Sequence, residues 1–242
     1  MEAIVLAGGR GTRLKEVVPD LPKPMAPIGH RPFLEILLAF LARQHFRRVV
    51  LSLGYKAQCI VDHFGFQFGG MELVYEIEQA ALGTGGALRQ ALTRCESDHV
   101  FVFNGDTYLD LEVDEIEAQW QRNRLPIIVA REIPDTARYG RLDTAGNRII
   151  RFVEKGVPGP GLINAGCYLF PTTITSELPA QETFSLEQDV LAKAVHRSPF
   201  QFFRSHGQFI DIGVPEDYAR AQVELREVLD QPIYQADPSC TY

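Results

Sequence analysis

The sequence predicts an α/β protein built on a doubly wound, mainly parallel sheet, with a small antiparallel lid toward its C-terminal half. Apolar, β-rich runs at residues 3–7, 49–53, 73–77, 100–103 and 127–130 alternate with helical patterns at 33–44, 58–64, 86–93 and 115–122. That alternation is the rhythm of parallel strands joined by crossover helices. From about Tyr139 it gives way to strand-like pieces at 140–143, 148–154 and 162–170, set apart by clusters such as Val157-Pro158-Gly159-Pro160-Gly161. With 242 residues, 45% of them hydrophobic, the chain can bury one sizeable core.

The first strand runs directly into Gly8-Gly9-Arg10-Gly11-Thr12-Arg13-Leu14. In the helix that opens Phe33-Leu34-Glu35-Ile36-Leu37-Leu38, polar residues are so few that it is expected to be largely buried. The strand at 73–77 leads to Leu82-Gly83-Thr84-Gly85-Gly86-Ala87, and the strand at 100–103 closes on Asn104-Gly105-Asp106. Helical patterns return at 186–195 and 215–229, the second with Pro215 at an N-terminal position where its missing N–H costs little. Residues 1–230 read as a single domain, with the lid at about 139–210, and residues 231–242 as an extended tail without periodicity.

Charge narrows the partners. The net charge is −7 and the pI about 5.4, with Lys and Arg scattered, so a polyanion finds no electrostatic footprint and nucleic acid is excluded as the expected partner. No apolar run approaches the ~18 residues of a membrane span, and the start lacks a basic segment before its short apolar run, so no membrane partner and a cytoplasmic location are expected. Cys59, Cys95, Cys167 and Cys240 are far apart with no CxxC spacing, and the six histidines form no HExxH or HxH. Reduced thiols fit that pattern better than a disulfide framework or a zinc site. The oligomeric state stays open, a homo-oligomer included.

The chemistry is concentrated at strand ends, where open α/β sheets bind ligands. Glycines after the first strand let backbone N–H groups wrap a triphosphate, and Arg13 can place a fork of donors on its oxygens. A dinucleotide fold is disfavoured, because from Gly9 the spacing is Gly-x-Gly-x-x-Leu and the third glycine is missing. The GxxxxGK[ST] pattern is also absent. Lys23, between Pro22 and Pro24, is one ammonium on a stiff loop. Asp106 should emerge at the sheet edge that carries the glycine loop; alone, it reads equally as an Asx turn.

LAGGxGTRL followed by PKPM resembles the sugar-nucleotide pyrophosphorylases, nucleotidyltransferases with a Rossmann-like catalytic core. Leu82–Ala87, Asn104-Gly105-Asp106, Tyr139-Gly140, Glu154-Lys155, Asn164-Ala165-Gly166 and Asp211-Ile212-Gly213 follow in the family's order, so the resemblance spans roughly residues 1 to 225. Within the family the chain looks most like the D-glycero-D-manno-heptose 1-phosphate guanylyltransferases. The resemblance implies transfer of a nucleoside monophosphate from an NTP to a sugar 1-phosphate. It implies Mg²⁺ held by Asp106 and Asp211, with Arg13 and Lys23 as catalytic cations. It implies a nucleotide site from Leu6, Ala7, Gly8, Gly9, Gly11, Thr12, Arg13, Glu78, Gly83, Thr84 and Asn104. For the sugar-binding lid it implies Gly140, Glu154, Asn164 and Gly166 at the hydroxyls and Lys155 at the phosphate.

Relatives read the base from the position of Glu78. A carboxylate only accepts hydrogen bonds, which suits the adjacent N1–H and N2–H₂ donors of guanine, so GTP is the favoured NTP. The plainer alternative is a solvated Glu at a strand end. Mannose-1-phosphate guanylyltransferases and N-acetylmuramate-1-phosphate uridylyltransferases are the neighbouring readings. A non-catalytic nucleotide-binding regulator on the same fold would have lost a metal carboxylate or the loop arginine, and this chain has both.

Overall fold

The structure is a computed structural model, describing residues 1–14, 16–153, 156–229 and 231. In chain order the first strands are β1 (Glu2–Ala7), the two-residue β2 (Pro27–Ile28) and β3 (Arg31–Pro32), β4 (Arg48–Leu53), β5 (Gln67–Phe68), β6 (Met71–Ile77) and β7 (His99–Asn104). They are followed by β8 (Thr107–Leu109), β9 (Ile127–Ile133), β10 (Arg141–Ala145), β11 (Arg148–Val153), β12 (Gly161–Pro171), β13 (Gln201–Ser205) and β14 (Phe209–Asp211). The helices are α1 (Phe33–Arg43), α2 (Ala57–Phe64), α3 (Gly83–Leu92) and α4 (Val113–Asn123), then a π-helical stretch Leu186–Leu191 running into α5 (Ala192–Ala194), and finally α6 (Pro215–Glu224) and α7 (Arg226–Leu229).

Ten strands make one sheet, in the order β10-β11-β13-β9-β12-β7-β1-β4-β6-β5. The apolar alternation of the strands sorts their side chains onto two faces. Ala3, Val5, Val49, Leu51, Phe101 and Phe103 join one core with α1, α2 and α4, while Ile4, Val50, Val100 and Val102 join another with Leu88 and Leu92 of α3 and Leu186 and Val190 of the π-helix. Burying both faces explains why these strands are nearly continuous in Val, Ile, Leu and Phe. Helix α1, expected to be buried, has all its residues but Glu35 and Arg43 inside.

Pairing is parallel for β7, β1, β4 and β6, with Val5 lying between Phe103 and Leu51. The rest of the sheet departs from the mainly parallel arrangement the sequence suggested. The eleven-residue β12 inserts antiparallel between β7 and β9, and β10, β11 and β5 also pair antiparallel, so the sheet is mixed. Strand β13 pairs parallel with β9 and antiparallel with β11. Since β10 pairs with both β11 and β12, strands β10-β11-β13-β9-β12 close on themselves, and the region after Tyr139 is hydrogen-bonded into the main sheet.

Three local departures bear on function. Helix α3 starts at Gly83, three residues before the expected 86, so the glycine-rich stretch is the first turn of a helix. Register in the β12/β9 pair shifts between Asn164 and Tyr168, at the Asn-Ala-Gly motif. A second, two-stranded sheet pairs β8 with β14 and sets Asp211 opposite Thr107.

Candidate active site

The carboxyl ends of β1 and β7 open onto a cavity of about 260 Å³. Its walls are Leu6 and Ala7 of β1, Gly9, Gly11, Thr12 and Arg13 of the following loop, Lys23 and Pro24, Thr84 of α3, Asn104, Gly105 and Asp106 after β7, and Gly213. Gly11 has φ +58°, a left-handed conformation that L side chains resist, and a Cβ there would lie 2.7 Å from Lys23 Cβ. The glycine loop and the Pro-Lys-Pro turn are therefore in contact, which is why a motif pair separated in sequence forms one wall.

Lys23 is nearly buried and its Nζ lies 2.5 Å from Asp106 Oδ2. Asp106 meets Asp211 through the small sheet: Ile212 N donates to the Asp106 carbonyl oxygen at 3.0 Å, and Asp211 pairs in register with Thr107. Burial pushes the Asp211 carboxyl above its ordinary 3.8; the Asp106 charge adds to this, against the pull of the Lys23 ammonium and the Gly213 N–H. Gly213 N donates to Asp211 Oδ1 at 2.6 Å. Two carboxylates in one corner, with an ammonium already drawn to Asp106, fit a hard divalent cation with oxygen ligands, of which Mg²⁺ commonly takes one or two from carboxylates and the rest from phosphate and water. Among the described residues no three His, Cys, Asp or Glu side chains converge on one metal position.

A second cavity of about 220 Å³ is lined by Arg13, Ala137, Arg138, Tyr139, Asp211, Gly213 and Val214, and shares Arg13 and Gly213 with the first. Arg138 Nη2 lies 2.5 Å from Oδ2 of Asp217, which is only 3% exposed and also accepts from Arg220 at 3.0 Å. Asp217 thus pins the turn before Gly140 to the first turn of α6. Sequence reading missed Arg138 and Asp217; an acid in the first turn of a helix reads as a dipole partner, and nothing local points to an arginine 79 residues away.

Gly8, Glu78 and Gly83 are not among the cavity-lining residues. A Cβ on Gly8 would collide with the Glu78 carboxylate, so Glu78 lies directly against the glycine loop. Its Oε2 accepts from Leu82 N at 3.1 Å, and it is half-buried rather than a freely solvated strand-end glutamate. Gly83, at φ +70°, packs against the Phe184 carbonyl, where a Cβ would approach to 2.5 Å. Of the residues expected at the sugar, Gly140 precedes β10, and Asn164 and Gly166 lie at the β12 irregularity. Gly166 is so close to Asn104 that a Cβ would sit 2.6 Å from Asn104 Nδ2. The buried Oδ1 of Asn104 has no hydrogen-bond partner among the described residues, which leaves an acceptor beside the cavity. Glu154 and Lys155 lie outside the described residues.

Comparison with known proteins decides the family, because the model of the nucleotidyl transferase family matches residues 2–228. The chain belongs to that family. It is a nucleotidyltransferase. Over 230 residues it is 40% identical to the D-glycero-alpha-D-manno-heptose 1-phosphate guanylyltransferase of Aneurinibacillus thermoaerophilus, a match covering 95% of this chain and 100% of that protein. A protein of the same name from Campylobacter jejuni is 37% identical over 219 residues, covering 90% and 97%. Among solved structures of the family, HddC from Yersinia pseudotuberculosis complexed with GMP-PN aligns with a TM-score of 0.81 at 38% identity, covering 91% of this chain and 97% of that one. Among the described residues no helix is long and apolar enough to cross a membrane.

Proposed function

We propose that this nucleotidyltransferase transfers GMP from GTP to D-glycero-α-D-manno-heptose 1-phosphate, forming the GDP-sugar and releasing pyrophosphate. The observation that carries the reading is the convergence of Arg13, Lys23 and Asp106 on one cavity, with Asp211 hydrogen-bonded into the same corner through its neighbour Ile212. The full-length similarity to two heptose 1-phosphate guanylyltransferases supports the choice of substrates.

The sugar phosphate is already a nucleophile. Its oxygen attacks the α-phosphorus in line; the new P–O bond forms as the bond to the β-phosphate oxygen breaks, and pyrophosphate leaves with that electron pair. The chain's residues need only align the partners and balance charge. Backbone N–H groups from Gly8, Gly9 and Gly11 and the hydroxyl of Thr12 hold the triphosphate, Arg13 meets the departing pyrophosphate, and Lys23, against the glycine loop on the same wall, steadies the phosphates. Asp106 and Asp211 are the pair to hold Mg²⁺, which when bound supplies positive charge at the α-phosphate. Leu6, Ala7, Gly83, Thr84 and Asn104 complete the nucleotide site. Gly140, Glu154, Asn164 and Gly166 take the sugar hydroxyls and Lys155 its phosphate. On this reading residues 1–230 act as one domain on a Rossmann-like, doubly wound core, with 139–210 as its sugar-binding lid, and work in the cytoplasm.

A pyrophosphate-release assay crossing four NTPs with heptose, mannose, glucose and N-acetylhexosamine 1-phosphates tests the reading. GTP with the heptose gives the highest kcat/KM; a clear preference for UTP would overturn the base assignment. Glu78→Gln turns one acceptor into a donor facing a guanine donor, at a cost of about 1–3 kcal/mol, or roughly 5- to 150-fold in GTP preference.

Acidity provides an independent check on Glu78. Burial holds its carboxyl above the ordinary 4.5, against the opposing Leu82 N–H. As pH falls, Glu78 therefore takes up its proton earlier than a solvated glutamate, and its second acceptor is lost. KM for GTP should rise on acidification in the wild type and stay flat in Glu78→Gln, with kcat measured alongside to separate other titrations. A KM that is independent of pH in both proteins would show that Glu78 does not read the base.

A further inference from the structure

Two runs of hydrogen bonds, one from each substrate side, end on a single carboxylate that the reaction itself does not use. The first begins at the Gly166 N–H, which donates to Asn164 Oδ1 at 3.1 Å. A backbone N–H can only donate, so this bond fixes which end of the Asn164 amide is oxygen. Asn164 Nδ2 then donates to the Tyr168 hydroxyl at 2.7 Å. Tyr168 is fully buried, and its own proton needs an acceptor. Among the described residues that acceptor is Glu187 Oε1, at 3.4 Å. The second run begins at the Leu186 N–H, which donates to Thr84 Oγ1 at 2.9 Å, and Thr84 Oγ1 donates in turn to Glu187 Oε2 at 2.8 Å. Ser185 Oγ adds a second donor to Oε2 at 3.0 Å, the third to this carboxylate.

We propose that Glu187 is a positioning residue: by accepting from both Tyr168 and Thr84 it locks the Asn164 amide in the one orientation that offers a donor and an acceptor to neighbouring hydroxyls of the sugar. Asn164 has four hydrogen-bonding positions, and the run engages one N–H and one lone pair. The remaining N–H and lone pair match a pair of adjacent ring hydroxyls, one accepting and one donating. The proposal rests on the reading of Asn164 as a sugar contact. The placement of Glu187 at the start of a π-helix agrees with the tendency of such turns to occur at functional sites, and the same segment packs on the first turn of α3, where Gly85 N donates to the Phe184 carbonyl at 3.0 Å.

Glu187→Gln tests the polarity at nearly unchanged volume. The glutamine carbonyl can still accept from Thr84, but its NH₂ then faces Tyr168. The tyrosine hydroxyl must turn its proton toward Asn164, and the Asn164 amide must flip against the fixed Gly166 N–H. The expected result is a rise of about tenfold in KM for the sugar 1-phosphate, the effect of roughly one lost hydrogen bond, with kcat and KM for GTP within about twofold. In a Tyr168→Phe background the same substitution should add nothing to the sugar KM, because the conflict runs through the tyrosine hydroxyl. A readout independent of turnover comes from ¹⁵N-asparagine labelling, since the chain has only four asparagines and the Asn164 side-chain amide pair should shift in Glu187→Gln. Equal rises in both KM values with a lowered Tm would overturn the proposal in favour of simple loosening. A full additional effect in the Tyr168→Phe background, or an unmoved Asn164 resonance, would overturn it as well. If the wild type releases pyrophosphate with no sugar 1-phosphate, the sugar-contact reading falls, and the Asn164 resonance still decides whether Glu187 sets the amide.

Discussion

Asp106→Asn and Asp211→Asn should each lower turnover by about 10³-fold or more, since each removes a charge whose contribution to the transition state is several kcal/mol. The two should not multiply. Asp211 is paired in register with Thr107, and the next residue, Ile212, is hydrogen-bonded to the Asp106 backbone, so the carboxylates sit in one corner and should act as one site. The double variant is expected to be little worse than the poorer single one, as for other residues that work as a unit. Losses that multiply, or activity unchanged by EDTA, would separate the two carboxylates. Stability should move the other way for Asp211. A carboxyl held above its ordinary 3.8 by burial and a neighbouring charge destabilises the fold once ionised; this cost is absent below the unfolded value, grows as pH rises toward the folded one, and is complete above it. Asp211→Asn should therefore raise Tm at pH 7 in EDTA, where about 1 kcal/mol corresponds to roughly 2–4 °C in a chain of this size. An inactive variant that is also less stable would point to misfolding instead of lost charge.

The strand ends were readable because each is announced locally: an apolar run stops, and Gly-Gly-x-Gly or Asn-Gly-Asp begins. That locates Arg13 and Asp106 without a structure. Their union with Asp211 could not be read from spacing, because it depends on β8 and β14, strands of three residues each, too short for a two-residue alternation to show. β13 was missed for a different reason. Phe202 and Phe203 are adjacent and pack against opposite cores, while Gln201 and Ser205 are buried polar residues, so the segment has no polar face to mark it. The mixed pairing of the sheet was hidden too, since a strand buried on both faces reads alike in either direction. Glu187 left only the trace of an acid beside Asp189 at the start of a helical pattern; its partners Thr84 and Tyr168 lie 103 and 19 residues away. The glycines of Leu82–Ala87 were legible as a motif, but Gly83 and Gly85 pack against Phe184, a contact no local pattern encodes.

Arg13→Ala should reduce kcat by roughly 10²–10³, the range for loss of one preorganised donor, with little change in GTP affinity. Arg13 lines both cavities, so it stands at the junction of the cavity at the ends of β1 and β7 with that of Arg138, Tyr139 and Asp211. A cation at that junction is placed to meet charge that grows as pyrophosphate separates, more than charge already present in bound GTP. Its contribution should therefore appear in turnover. Arg13→Lys keeps the charge and loses the planar fork, and should recover only part of the rate, because a point charge cannot make the bidentate contact. The measurement is kcat and KM for GTP at saturating sugar 1-phosphate, with nucleotide affinity taken separately by calorimetry. A variant with normal kcat and a raised KM would assign Arg13 to ground-state binding of phosphate, leaving Lys23 as the main cation at the departing group.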